Sequence, residues 1–333
     1  MNIEKSLEML ATQKRLVDAD LSGTDLSGRD LSGCSFQNVM LRGTNLSRAN
    51  LAGAQFQGCV FAGADLRGVN ASNTGFSNVD LTGSNASSAD FSHGFFEQCE
   101  FKDASFAGAQ LVRTDAHGCT FSGADFTGAN LQRLTVMDAD LSGVRFSGAS
   151  LLQTYLKGCI LNGQDFQGCD LTMTIFNQAQ LKNANFSGTM LDRTSFMGAQ
   201  LQGAIFVGAR GIYTSLIGAQ LGQVNLTQAA FEMSDASDVD FGQCRADGVH
   251  WHMSVLKSSN WQRASLKSAR LNFCDLSHAD FSGADCSGAD LDGANIHAMK
   301  DEGTRWNGAQ VSGTRRTDPL LARAERWQPK PVK

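Results

Sequence analysis

The chain has 333 residues, of which 35 are glycine and only 3 proline, with 42% apolar residues and a formal charge of -5. So large an apolar share, placed periodically, excludes low-complexity disorder, and no run of 18 apolar residues exists to span a membrane as a helix. Residues 16–314 carry 19 basic and 29 acidic groups, while residues 315–333 carry six basic and two acidic groups. An acidic body with a basic tail disfavours direct nucleic-acid binding by the body.

Residues 1–15 (MNIEKSLEMLATQKR) lack the apolar stretch of a secretory leader. Cytoplasmic residence is therefore expected, with export that needs no leader left open. Ile3, Leu7 and Leu10 follow helical spacing, so 1–15 reads as an N-terminal capping segment with a short amphipathic helix over the first coil.

From Leu16 to Val311 the chain repeats every five residues: ADLSG at 19–23, TDLSG at 24–28, ANLAG at 49–53, ADFTG at 124–128, ADFSG at 279–283. We call the central residue i. Of 60 central positions 46 are Leu or Phe; Gly211 and Asp301 depart most. Position i−2 is small, i−1 is often Asp or Asn, and i+2 is often Gly. A period of five fits neither a helix at 3.6 nor a strand at 2. It fits a chain that turns once per pentapeptide, with Gly at i+2 supplying positive φ. Phe at 36, 56, 76 and 96, and again at 106, 126, 146, 166, 186 and 206, places stacked neighbours four pentapeptides apart, hence four corners per coil. About 15 coils at ~4.8 Å each make a rod of roughly 70 Å. Local bulges are expected at Gly211 and over Met299–Glu302.

This pattern over 16–314 resembles the pentapeptide-repeat family. The resemblance implies an all-β fold, a right-handed quadrilateral parallel β-helix with Leu and Phe stacked along its axis. It leaves function open. Relatives that confer quinolone resistance bind DNA gyrase in place of DNA, so imitation of duplex DNA by the acidic body is one reading. Against it, the i−1 carboxylates (Asp80, Asp90, Asp115, Asp125) fall on all four faces, with Arg and Lys interspersed. Most of them suit backbone turns instead. A bacterial cytoplasmic setting goes with the resemblance.

All nine cysteines occupy inward positions, eight at i−2 and Cys286 at i, where Cys is a small apolar filler. Cys99 and Cys119 stack one coil apart, and free thiols are expected there. The six histidines do not cluster with ligands; His250 and His252 flank Trp251 and point outward. No metal site, cofactor or catalytic constellation is expected, and an unbroken convex repeat offers no pocket for one.

The outward i+2 positions distinguish one face. Three faces are mostly Gly or small polar residues. The fourth reads Asn73, His93, Arg113, Arg133, Gln153, Met173, Arg193, Tyr213, Met233, Met253, Phe273. It begins basic and ends apolar, and Tyr155, Ile175 and Val255 lie on the same edge. A contiguous apolar patch marks a partner surface, and Arg, Tyr, Met and Phe are the types enriched at interfaces. We expect protein-partner binding through Arg113, Arg133, Met173, Arg193, Tyr213, Met233, Met253 and Phe273. Two other readings stay open: a turn type that needs no glycine, and coverage of the stripe by residues 297–333.

Residues 315–333 read as a C-terminal helix and basic tail. Asp318-Pro319 starts the helix. Leu320, Leu321, Ala324 and Trp327 share a face that either caps the last coil or joins two copies of the chain, as happens in some proteins it resembles.

Overall fold

The computed structural model describes residues 3–327; the basic tail expected at Gln328–Lys333 lies outside the described residues. The chain divides into two compact units, residues 1–185 and 186–333.

In the first unit, helix α1 (Ile3–Gln13) precedes seven short strands: β1 (Arg15–Val17), β2 (Ser35–Gln37), β3 (Gln55–Gln57), β4 (Gly75–Ser77), β5 (Phe95–Glu97), β6 (Asp115–His117) and β7 (Thr135–Val136). They form one parallel sheet in chain order. Its register pairs Leu16 with Phe36, Phe36 with Phe56, and Phe56 with Phe76, a step of four pentapeptides each time. The other three corners step by the same interval through single bridges, such as Asp20–Met40, Asp25–Asn45 and Asp30–Asn50. Four corners per coil make a square, parallel β-solenoid.

The period of five explains its interior. Each i residue points to the axis and meets its counterpart one coil away. Phe36 stacks on Phe56 at 4.6 Å, Phe56 on Phe76 at 5.1 Å, and Phe76 on Phe96 at 4.8 Å, all within 12° of parallel. Each buried Phe contributes about 1.5–3 kcal/mol by burial, and each stacked pair roughly 0.5–1.5 kcal/mol more. The small side chains at i−2, Ala54 and Cys59 among them, are buried beside the rings. Where the i−2 side chain is Thr, its hydroxyl often donates to a carbonyl of the neighbouring coil, as Thr44 Oγ1 does to Leu21 O (2.9 Å) and Thr114 Oγ1 to Phe91 O (3.0 Å). Such a hydroxyl buried without an acceptor would cost about 1–3 kcal/mol.

The second unit repeats the plan. Strands β8 (Arg210–Ile212) and β9 (Ala230–Glu232) pair in parallel, and single bridges hold the remaining corners. Aromatic stacking continues with Phe186–Phe206 (4.7 Å), Phe231–Trp251 (4.8 Å) and Phe241–Trp261 (3.9 Å). Helix α2 (Pro319–Glu325) comes after the last coil; the Asp318 carboxylate caps it by accepting from the N–H groups of Leu320 and Leu321.

Both expected irregularities are regular. Gly211 sits in β8, paired with Phe231. A side chain there would meet the Leu191 carbonyl oxygen at 2.9 Å, so glycine keeps the corner closed instead of bulging it. Over 299–302, Met299 N–H donates to Ile296 O (3.3 Å) and Lys300 bridges Asp280, the pattern of most of the bridged corners. The regular elements number eleven among the described residues, nine strands and two helices. That is fewer than the coils expected from the pentapeptide count, because many corners are single bridges and not strands.

Candidate functional site

The distinguishing column is built by the turn itself. At nearly every i+2 position, Gly143 excepted, the backbone enters the left-handed region as the chain turns the corner. Glycine does so at no steric cost, and Gly23, Gly43 and Gly63 on another face have φ of 66°, 59° and 67°. The distinguishing column shows the same backbone without glycine: Arg113 54°, Arg133 59°, Met173 57°, Arg193 56°, Tyr213 59°, Met233 48°, Met253 54°, Phe273 58°. The reading of a turn type that needs no glycine is therefore overturned. These residues occupy a glycine conformation at a cost of about 1 kcal/mol each. Other non-glycine residues do so elsewhere, but they are Asn, Asp, Gln, Ser, His, Lys, Arg and Ala. Among the described residues, each Met, Tyr or Phe with positive φ belongs to this one column.

In the second unit the apolar part of the column is open. Tyr213, Met233, Met253 and Phe273 are 53%, 38%, 56% and 55% exposed. Their backbones are tied coil to coil: Tyr213 N–H donates to Glu232 O (3.1 Å), Met233 to His252 O (2.9 Å), Met253 to Asn272 O (3.1 Å). They therefore stand on successive coils and make a stripe about 15 Å long. At its start the Arg193 guanidinium lies 6.0 Å from the Tyr213 ring centre, a cation–π distance. At its end the His252 ring meets the Phe273 ring edge-on at 5.7 Å. The next coil returns to glycine for a reason: a Cβ at Gly293 would lie 2.5 Å from the Phe273 ring. Residues 297–327 leave the stripe exposed; the remainder of the segment that could cover it lies outside the described residues. Exposed Ile212 and Val255 widen it.

In the first unit the column is polar and its side chains chain together. Arg133 Nε donates to Gln153 Oε1 (2.6 Å), and Gln153 Nε2 to Met173 Sδ (3.2 Å). Arg113 and Arg133 are exposed; Met173, Tyr155 and Ile175 are half-buried.

The acidic i−1 positions have another occupation. Asp20, Asp25, Asp240 and Asp280 each accept the backbone N–H two residues on, at 2.9–3.0 Å. Hydrogen bonds from Ser22, Ser27 and Ser32 hold Asp20, Asp25 and Asp30 below the ordinary carboxylate range. Asn side chains add a second ladder, Asn45 Nδ2 to Asp25 Oδ1 and Asn50 Nδ2 to Asp30 Oδ1, both 3.0 Å.

All nine cysteines are buried free thiols, and burial raises the thiol pKa of Cys159 and Cys169 to about 11. Those two are core filler with little thiolate at neutral pH. His250 and His252 are half-buried. At one place the expectation for histidines fails: His278, His297 and Glu325 bring their ligand atoms within 4.8 Å of one another. Reading every twentieth residue misses this group, because the two histidines are 19 apart and the glutamate comes from α2.

Helix α2 buries Ala322 and leaves Leu320 (78% exposed), Leu321, Ala324 and Trp327 (73%) in solvent. None of the four covers the last coil, where Trp306 is half-buried and Val311 exposed. A shallow apolar recess of about 440 Å³ opens there, lined by residues that include Leu291, Ile296, Met299, Trp306 and Val311.

Family models for pentapeptide repeats match this sequence over residues 15–51, 49–85, 81–115, 96–133, 179–210 and 259–297, and for a pentapeptide repeat region over 116–186. The chain belongs to the pentapeptide repeat family. A solved pentapeptide repeat protein from the cyanobacterium Nostoc, HetL, involved in heterocyst differentiation regulation, is 18% identical; the match covers 96% of this chain and 98% of that one, with a TM-score of 0.23. The plasmid-mediated fluoroquinolone resistance protein QnrB1 is 20% identical over 66% of this chain and 96% of its own, with a TM-score of 0.21. A pentapeptide repeat protein from the cyanobacterium Cyanothece, Rfr23, is 19% identical over 53% and 100%, with a TM-score of 0.20. No curated protein matches the sequence. Among the described residues no helix is long and apolar enough to cross a membrane.

Proposed function

We propose that this pentapeptide repeat protein is a non-enzymatic binding surface for another protein. Its contact residues are Tyr213, Met233, Met253 and Phe273 with Arg193, and in the first unit Arg113, Arg133 and Met173. The observation that carries the reading is the left-handed column. Four consecutive coils of the second unit hold large, exposed apolar side chains in a backbone conformation that glycine adopts more cheaply. Folding does not require them, and exposed apolar surface costs solubility, so a partner that buries them accounts for both. With Tyr213, Met233, Met253 and Phe273 all replaced by Ser, the circular dichroism spectrum and melting transition should be retained. A photo-crosslinker at position 255, exposed beside the stripe, should label a partner in the otherwise native chain, and the label should vanish in the Ser background. Labelling that survives the four replacements would sink the reading.

A second reading has its own observation. The uncovered last coil and the exposed Leu320, Leu321 and Trp327 support association of two copies through the C-terminal end. Imitation of DNA toward gyrase is less well supported, because the i−1 carboxylates are engaged in turns and ladders on every face. A supercoiling assay with a fluoroquinolone tests it: neither protection nor inhibition removes it.

A further inference from the structure

We propose that His278, His297 and Glu325 form a binding site for a divalent transition metal, zinc by ligand preference, that fastens α2 to the second unit. His278 is the i+2 residue of one coil and His297 the i+1 residue of the next. The His278 N–H donates to the His297 carbonyl (2.8 Å), so the backbone ladder itself sets the two imidazoles side by side, with ring centres 5.4 Å apart. Glu325, on the last turn of α2, places one carboxylate oxygen 3.2 Å from His278 Nε2 and the other 3.1 Å from His297 Nε2. Two imidazole nitrogens and a carboxylate are a zinc donor set that leaves one position open. Around a tetrahedral ion, ligand atoms at about 2.0–2.2 Å from the metal stand roughly 3.3 Å from each other; the two histidine–carboxylate separations are close to this, and the ligand atoms of all three residues lie within 4.8 Å of one another.

The three ligands differ in freedom. The His297 side chain is 6% exposed, whereas those of His278 and Glu325 are 35% and 36% exposed. One anchor is rigid and two can close on an ion.

One contact competes with the metal. The Asp318 N–H donates to His297 Nδ1 at 3.2 Å, which puts the ring proton on Nε2, facing Glu325. Zinc at Nε2 requires the other tautomer. The proton leaves Nε2, one is taken up at Nδ1, and the Asp318 N–H turns to water, with no net change in protons. The exchange trades one long hydrogen bond and two histidine–carboxylate contacts for three coordinate bonds.

The test uses the full chain after chelator treatment, titrated with Zn²⁺ by calorimetry and with Co²⁺ by visible absorption. One ion per chain is expected, with a tetrahedral Co²⁺ spectrum free of thiolate bands. Glu325→Ala and His278→Ala should each weaken binding by about a hundredfold or more, while His252→Ala should leave it unchanged. Zinc should also slow tryptic cleavage after Arg323 in α2 and Arg326 at its C-terminal cap. Glu325 is on an exposed helix, so its removal leaves the core in place, and a matched melting curve verifies that. Absence of binding in the native chain, undiminished binding in the Glu325→Ala and His278→Ala double variant, or thiolate bands with Co²⁺ would each overturn the proposal and leave a hydrogen-bonded latch.

Discussion

The two ends of the repeat are finished differently. At the start, α1 packs on β1 and buries Leu10 and Ser6, and the first central residues, Leu16, Leu21 and Leu26, are fully enclosed. At the finish, α2 buries one alanine, and the central residues Asp301, Trp306 and Val311 are exposed or half-buried. A solenoid end is an unpaired edge, and natural β-proteins blunt or cover such edges. The closed end belongs to the stability of the fold. The open end leaves apolar surface in solvent. Apolar content does not distinguish them: Leu10 and Leu320 both look like cap residues, and only one of them is.

That contrast can be broken by mutation. Leu10→Ala should cost about 2–5 kcal/mol by loss of buried contacts, while Leu320→Ala should change stability by no more than about 0.5 kcal/mol. Equal losses in denaturant titrations would mean that both ends are closed. Next in size is association. Leu321→Asp with Trp327→Ser should weaken self-association by about a hundredfold, roughly 2.7 kcal/mol, without moving the melting transition. A native chain that sediments as a monomer at all concentrations would remove the dimer reading.

Smaller still is the helix start. Asp318→Ala removes the acceptor for the Leu320 and Leu321 N–H groups and should cost α2 about 1 kcal/mol. It should show as lost helical ellipticity with the β-solenoid signal intact. Loss of both signals together would mean that α2 supports the coils after all. The smallest effect sets the corners apart from the ends. Met253→Gly should stabilise by no more than about 1 kcal/mol, since glycine suits that backbone better. A clear loss would show Met253 packing to matter for folding.

The fold was legible because one signal runs almost the whole length. The unbroken register from Leu16 to Val311, with a Phe column recurring once per coil, specified the interior, the corner count and the burial of all nine cysteines. Three things were not legible. The left-handed backbone at Met233 or Phe273 is imposed by closing a corner between coils, and no local preference of Met or Phe signals it. The His278–His297–Glu325 group depends on an offset of one position between adjacent coils and on where a short helix lands. At the C-terminus, spacing placed Leu320, Leu321 and Trp327 on the helix. The side that faces the coil carries Ala322, with Glu325 one turn on reaching the two histidines.

The left-handed corner has a consequence for how such a chain can change over time. Its side chain reaches solvent without touching the axis, and glycine, arginine, glutamine, methionine and phenylalanine all occupy it here with φ within a narrow band. A substitution at such a site therefore changes the surface one side chain at a time and leaves the stacked interior untouched.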